Sequence, residues 1–152
     1  MATKLDLQKA YDRVNWKFIK AVLLHFGFND IFTNWISACV SFVPFEVLVN
    51  RDKTESFKSS WGLRQGDSLS SYLFIMGQEV MSMLIDHEMQ LKNISKIKSN
   101  INGPCITHVM CVDDIIIFSK ASKKDASNLM KLGLCCCIYT MLCNVGDQQI
   151  EA

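Results

Sequence analysis

Hydrophobic and polar positions change their period several times along the chain, and each change marks an element. Lys4-Leu5-Asp6-Leu7 alternates like a short strand. From about Asn15 to Phe26 the apolar residues Trp16, Ile19, Val22, Leu23 and Phe26 recur at helical spacing, and Gly27 supplies a stop. The spacing predicts a second helix from about Asp30 to Phe42, with Asp30 as its N-cap and Trp35, Ile36 and Cys39 facing inward. Phe45, Val47 and Val49 then alternate with Glu46, Leu48 and Asn50. Asn50-Arg51-Asp52-Lys53 reads as the turn of a hairpin that returns through Thr54 to Ser59. A long helix is predicted over about Ser70 to Met89. A second hairpin follows, with arms Ile106 to Val112 and Ile115 to Ser119 and with Asp113-Asp114 at its tip. A last helix starts near Ser122, which caps with Asp125, and the pattern weakens after about Leu134. Helices interspersed with hairpins in this order predict an α+β fold, helices packed on a small antiparallel sheet.

Composition narrows the class. The 152 residues are 49% hydrophobic and 20% charged, which is globular rather than disordered. Only Pro44 and Pro104 punctuate the chain, and no linker or repeat divides it. No apolar run reaches the roughly 18 residues of a membrane span. The nearest candidate, Tyr72 to Leu91, is broken by Gln78, Glu79, Asp86, His87 and Glu88, and the first dozen residues lack a signal-peptide core. A soluble intracellular protein, nuclear or cytoplasmic, is the expectation. Three of the seven cysteines are adjacent, Cys135 to Cys137, and no C-x-x-C pair exists. That argues against a disulfide framework and against zinc, so the thiols are expected to be buried and reduced. His108 and Cys111 have ligand-like spacing but no second pair. The net charge of +1 is low for a protein that holds nucleic acid unaided.

Three clusters carry candidate chemistry. Asp113-Asp114 interrupts two apolar runs, and Asp6 sits between Leu5 and Leu7. Acids where hydrophobes are expected suggest a shared divalent cation, since buried charges need a partner. Mg²⁺ suits such a site, and two ions about 3.5–4 Å apart can stabilise both oxygens of a phosphoryl transfer. Asp113-Asp114 could equally be no more than a turn. The second cluster, Gly62-Leu63-Arg64-Gln65-Gly66-Asp67, would turn tightly and present polar side chains at a helix N-terminus; the plainer reading is a glycine-rich loop capped by Asp67. The third is Lys9-Ala10-Tyr11-Asp12-Arg13, where Tyr11 reads by default as core packing.

Taken together and in order, KLDLQKAYDRV, GLRQGDSLS and CVDDIIIF resemble the reverse transcriptases of LINE-type (non-LTR) retrotransposons. WKFIKAVLLHFGF, WISACVSFVPFEVLVN and HVMCVDD are similar to that family as well. The resemblance covers about residues 3–132 and implies a polymerase palm. It makes Asp6, Asp113 and Asp114 the catalytic and metal-binding aspartates, with Mg²⁺ as the ion and Mn²⁺ as a substitute. It makes Tyr11 the bulky residue that excludes a ribose 2′-hydroxyl, and Arg64, Gln65 and Gly66 the loop that positions template and incoming nucleotide. The implied reaction is RNA-templated DNA synthesis, in which a primer 3′-oxygen attacks the α-phosphate of a deoxynucleoside triphosphate. The implied partners are an RNA template, a DNA primer and deoxynucleoside triphosphates.

The chain also departs from that pattern. It opens on the first catalytic motif, so the expectation is a palm without the fingers usual upstream or the thumb usual downstream. Ser68 and Ser71 stand where the family usually has prolines, and Val112 stands where it has alanine. Beyond about Lys131 the likeness fades, which leaves a palm core at 3–132 and a divergent tail at 133–152. The expectation is a polymerase fragment that is inactive and poorly soluble alone. A domesticated, non-catalytic binding module with the same fold is the alternative. An unrelated Mg²⁺-dependent phosphohydrolase would explain neither GLRQGD nor Tyr11.

Overall fold

The computed structural model describes residues 1–7, 9–98, 100, 103–111 and 114–140, the last seven by their backbone alone. In chain order the elements are β1 (Ala2–Asp6), a short 3-10 turn (Tyr11–Arg13), α1 (Trp16–His25) and α2 (Asp30–Ser41). Four very short strands follow, β2 (Pro44–Phe45), β3 (Leu48–Val49), β4 (Asp52–Lys53) and β5 (Phe57–Lys58). Then come α3 (Ser68–Gln90), β6 (Ile97–Lys98), β7 (Cys105–Ile106), β8 (His108–Cys111), β9 (Asp114–Phe118) and α4 (Lys123–Thr140). Mixed helices and small antiparallel sheets make this an α+β protein. The chain divides into two compact units. One is built from Met1–Ala10 with the described residues from Gly77 onward, and the other is Tyr11–Met76.

The first unit holds a three-stranded antiparallel sheet in the order β1-β9-β8. Strand β1 runs against β9 from Ala2↔Phe118 to Asp6↔Asp114, and β8 runs against β9 from His108↔Ile117 to Cys111↔Asp114. Period-two alternation turns Thr3, Leu5, Ile115 and Ile117 into the core, where both isoleucines are fully buried. Ala126, Leu129 and Met130 of α4 share a narrow crevice with Thr3, Leu5 and Ile117. On α3, Met81, Ile85 and Met89 form a buried stripe at four-residue spacing. The Ser122 hydroxyl accepts the Asp125 N–H at 3.1 Å, the cap expected for α4. Buried Asp125 in turn accepts from the backbone and hydroxyl of Ser95, which ties the start of α4 to the loop after α3.

In the second unit α1 packs against α2. Asn15 caps α1 by accepting the Lys17 N–H. Gly27, at φ +87°, ends it: the Gly27 N–H bonds Leu24 O and the Phe28 N–H bonds Leu23 O, the pattern of a left-handed helix stop. The predicted hairpin is two nested pairs, β2 with β5 and β3 with β4. Asn50 and Arg51 both take positive φ at its tip, as a two-residue primed turn requires.

Several expectations need correction. The cap of α2 is Asn29, whose side chain accepts the Phe32 N–H at 2.7 Å, and Asp30 is already the first helical residue. The inward position on α2 is Thr33, fully buried, whereas Trp35 is 65% exposed and Cys39 is exposed. The free thiols Cys39, Cys105 and Cys111 lie at the surface rather than in the core. Asp114 is the first residue of β9 and not part of a turn. The β6–β7 pair was not anticipated by the pattern. Helix α4 continues through Thr140, past the point where the apolar pattern weakens. Among the described residues no helix is long and apolar enough to cross a membrane.

Candidate functional site

Register brings two of the three candidate aspartates together. Asp6 ends β1, Asp114 begins β9, and the two are direct partners across the antiparallel pair. Residues so paired project to the same side of the sheet, with Cβ atoms about 4.5–5.5 Å apart. The side is the outer one: Leu5 and Ile115 point inward, leaving Asp6 exposed and Asp114 about two-fifths exposed. The expected reason for a cation, acids embedded in buried strands, therefore gives way to another. Like charges directly opposite each other disfavour the pairing, and a cation between them removes that penalty. One is already present: Lys4 Nζ lies 3.0 Å from Asp114 Oδ2. Both groups are well exposed, so the ion pair is worth about 1 kcal/mol or less. Asp113 lies outside the described residues. Among the described residues no three His, Cys, Asp or Glu side chains converge as a metal-ligand group.

Next to this strand pair, His108 ties the hairpin to α3. Its Nε2 meets Ser82 Oγ at 2.9 Å and its Nδ1 meets Thr107 Oγ1 at 3.0 Å, with Asp86 Oδ1 4.0 Å away. His108 and Cys111 are three residues apart on one strand and so face opposite ways, which excludes them as a joint ligand pair.

The second unit holds Tyr11, Arg64, Gln65 and Gly66. The Tyr11 ring stacks on Phe74 at 4.5 Å but is only half-buried, so it packs without being the core residue expected by default. The Leu63 N–H donates to Tyr11 O at 2.7 Å and the Gly62 N–H to Val14 O at 2.9 Å. This approach needs glycine. Gly62 sits at φ +88°, and a Cβ there would lie 2.8 Å from Asp12 O. Trp16 Nε1 donates to Gly62 O at 2.7 Å and locks the loop from the other side. Beyond it Arg64 and Gln65 are exposed, the guanidinium 5.9 Å from the Phe45 ring and the Gln65 amide 3.4 Å from Asp12 Oδ1. Gly66 turns the chain at φ +81°, and Asp67 caps α3 by accepting from the Leu69 N–H and the Ser70 hydroxyl. Asp12, Trp16, Phe45, Arg64 and Gln65 line an open cleft of about 770 Å³.

Two side chains have roles that the sequence does not assign. Lys4 alternates with Asp6 on β1, a period-two signal for a shared face. Asp12 lies in the third candidate cluster, but its hold on Gln65 joins residues far apart in sequence.

By itself this geometry defines a mixed helix and antiparallel-sheet protein with facing carboxylates on one strand pair and an exposed Arg-Gln loop at a helix start. Comparison carries the assignment further. The chain matches the family model for reverse transcriptase (RNA-dependent DNA polymerase) over residues 1–140, and it belongs to that family. It is also 44% identical over 55 residues to an uncharacterized mitochondrial protein of Arabidopsis thaliana. That match covers 36% of this chain and 45% of the relative, so the chain spans less than half of the relative's length.

Proposed function

We propose that the chain carries the palm residues of a LINE-type reverse transcriptase and that Asp6, Asp113 and Asp114 serve two-metal nucleotidyl transfer. The observation that carries this reading is the direct pairing of Asp6 with Asp114, from motifs at opposite ends of the chain. The donor chemistry fits Mg²⁺: facing carboxylates offer hard oxygens, and Mg²⁺ takes one or two carboxylates while keeping waters and substrate phosphates. Asp6, Asp113 and Asp114 would hold it. When bound, Mg²⁺ or Mn²⁺ supplies neutralisation of charge on the transferring phosphate.

The remaining roles belong to the chain's own side chains. Tyr11 acts sterically, and stacking on Phe74 gives the ring the rigidity that excluding a 2′-hydroxyl demands. Arg64 presents its exposed fork to phosphate or base, and Gln65, steadied by Asp12, positions template and incoming deoxynucleoside triphosphate. Gly66 supplies the turn that holds both at the start of α3. The net charge of +1 leaves little sequence-independent attraction for RNA template and DNA primer, so the grip of this chain on them is weak.

RNA-templated primer extension with Mg²⁺ or Mn²⁺ at low ionic strength tests the reading. The expected result is little or no incorporation by the chain alone, with any residual activity abolished by Asp113→Ala; robust incorporation would overturn the expectation of inactivity. Incorporation that survives Asp113→Ala would overturn the assignment of the acids. Binding of primer–template without incorporation, and without response to Mg²⁺, would favour a non-catalytic binding module instead.

A further inference from the structure

Lys4 stands on the outer face of β1 two residues before Asp6, so the strand pleat sets both on the side where Asp114 projects. Its ammonium contacts Asp114 Oδ2 at 3.0 Å. A carboxylate oxygen committed to an ammonium has lost one of the directions in which it could ligate a metal ion. We propose that Lys4 is a built-in counter-ion of the Asp6–Asp114 pair, competing with a divalent cation for Asp114 and thereby setting the affinity of the acidic pair for that ion. Lys4 is thus a positioning residue and not a ligand. The inference rests on the reading of Asp6 and Asp114 as cation-binding carboxylates.

Exposure decides how such a contact behaves. The side chains of Lys4 and Asp114 are 57% and 41% exposed, so the pair is solvated, weak and readily exchanged. A buried bidentate pair would exclude the ion, whereas this one yields to it. The acids are not left as bare neighbours before the ion arrives, because one positive charge already offsets their repulsion. Once displaced, the ammonium remains tethered within a side chain's length of a dication, and that proximity is unfavourable. Both effects lower cation affinity, so removing the charge raises it. A residue that only bolstered the strand pair would leave affinity unchanged, and one that helped hold the ion's surroundings would weaken binding when lost.

The test is a Mn²⁺ titration of the full chain, read by the paramagnetic resonance signal of free Mn²⁺, on wild type, Lys4→Met, Lys4→Gln and Lys4→Arg. Lys53→Met serves as the control. It removes the same charge from an ion pair of the second unit, where Lys53 Nζ meets Glu46 Oε2 at 2.8 Å. The expected result at low ionic strength is binding about 3- to 10-fold tighter in Lys4→Met and Lys4→Gln, with Lys4→Arg and Lys53→Met close to wild type. The difference shrinks as salt rises toward ~1 M, where the Debye length falls to about 3 Å. Thermal melts give a second readout: without divalent cation Lys4→Met melts below wild type, and its gain on adding Mn²⁺ is larger. Saturable binding that Lys4→Met and Lys4→Gln leave unchanged or weaken overturns this inference alone. Equal tightening in Lys53→Met overturns it too, because the effect would be one of bulk charge. No saturable binding in any of the proteins removes both this inference and the cation reading beneath it.

Discussion

Gly62 shows how much of the second unit depends on a missing side chain. Positive φ alone makes alanine unfavourable there, and a Cβ 2.8 Å from Asp12 O adds a clash with backbone that cannot step aside. Gly66 has the same sign of φ, but a Cβ added there would meet nothing within 4 Å. Gly62→Ala is therefore expected to lose about 2–4 kcal/mol in denaturant melts and Gly66→Ala about 1 kcal/mol. Equal losses would mean that the close approach to Asp12 carries no energetic weight. The spacing of the two glycines around Arg64-Gln65 was legible in the sequence. The reason only one of them is sterically obligatory was not, because Asp12 reaches Gly62 through folding. At the same scale, Asp6 was conspicuous between two leucines. The setting read from those leucines was wrong: in a strand they point inward and Asp6 points out.

Elements were legible where local signals agree. Helix α1 has an apolar stripe, an Asn cap and a glycine stop, and it forms within a residue of its expected bounds. Hairpins β3–β4 and β8–β9 form near where alternation points, but Asp52 and Lys53, read as turn, make up β4, and Asp114, read as the tip, begins β9. At α2, Asn29 and Asp30 are adjacent good caps, and composition cannot rank them. The hydrogen bond from the Phe32 N–H selects Asn29. Asn29→Ala should accordingly destabilise by about 1 kcal/mol, and Asp30→Ala by only a few tenths through the helix dipole. Circular dichroism melts would check the ranking, and a larger effect at Asp30 would restore it as the cap. Strands β6 and β7 were missed because two-residue strands carry too few positions to show a period. The His108 bond to Ser82 was missed because it joins α3 to β8, a contact no local pattern encodes.

Over the whole molecule, periodicity identifies apolar faces without saying which are covered. Trp35, Phe42, Leu48 and Tyr72 all remain about two-thirds exposed or more, although each belongs to a segment that reads as amphipathic. The α+β class and the reverse transcriptase family were both legible, since they depend on the order of elements and on short motifs. The outward-facing acidic pair and its lysine depended on register, which only strand pairing supplies. Everything proposed for the site turns on Asp6 and Asp114 facing each other to share a cation. Thermal melts of wild type and Asp6→Asn, with and without Mg²⁺, address that point without needing template, primer or nucleotide. Without divalent cation, Asp6→Asn relieves like-charge repulsion and should be as stable as wild type or more stable by about 0.2–1 kcal/mol. With Mg²⁺, wild type should gain stability and Asp6→Asn should not. An Asp6→Asn protein that is less stable without the ion, yet gains as much from Mg²⁺ as wild type, would contradict a shared cation at this pair.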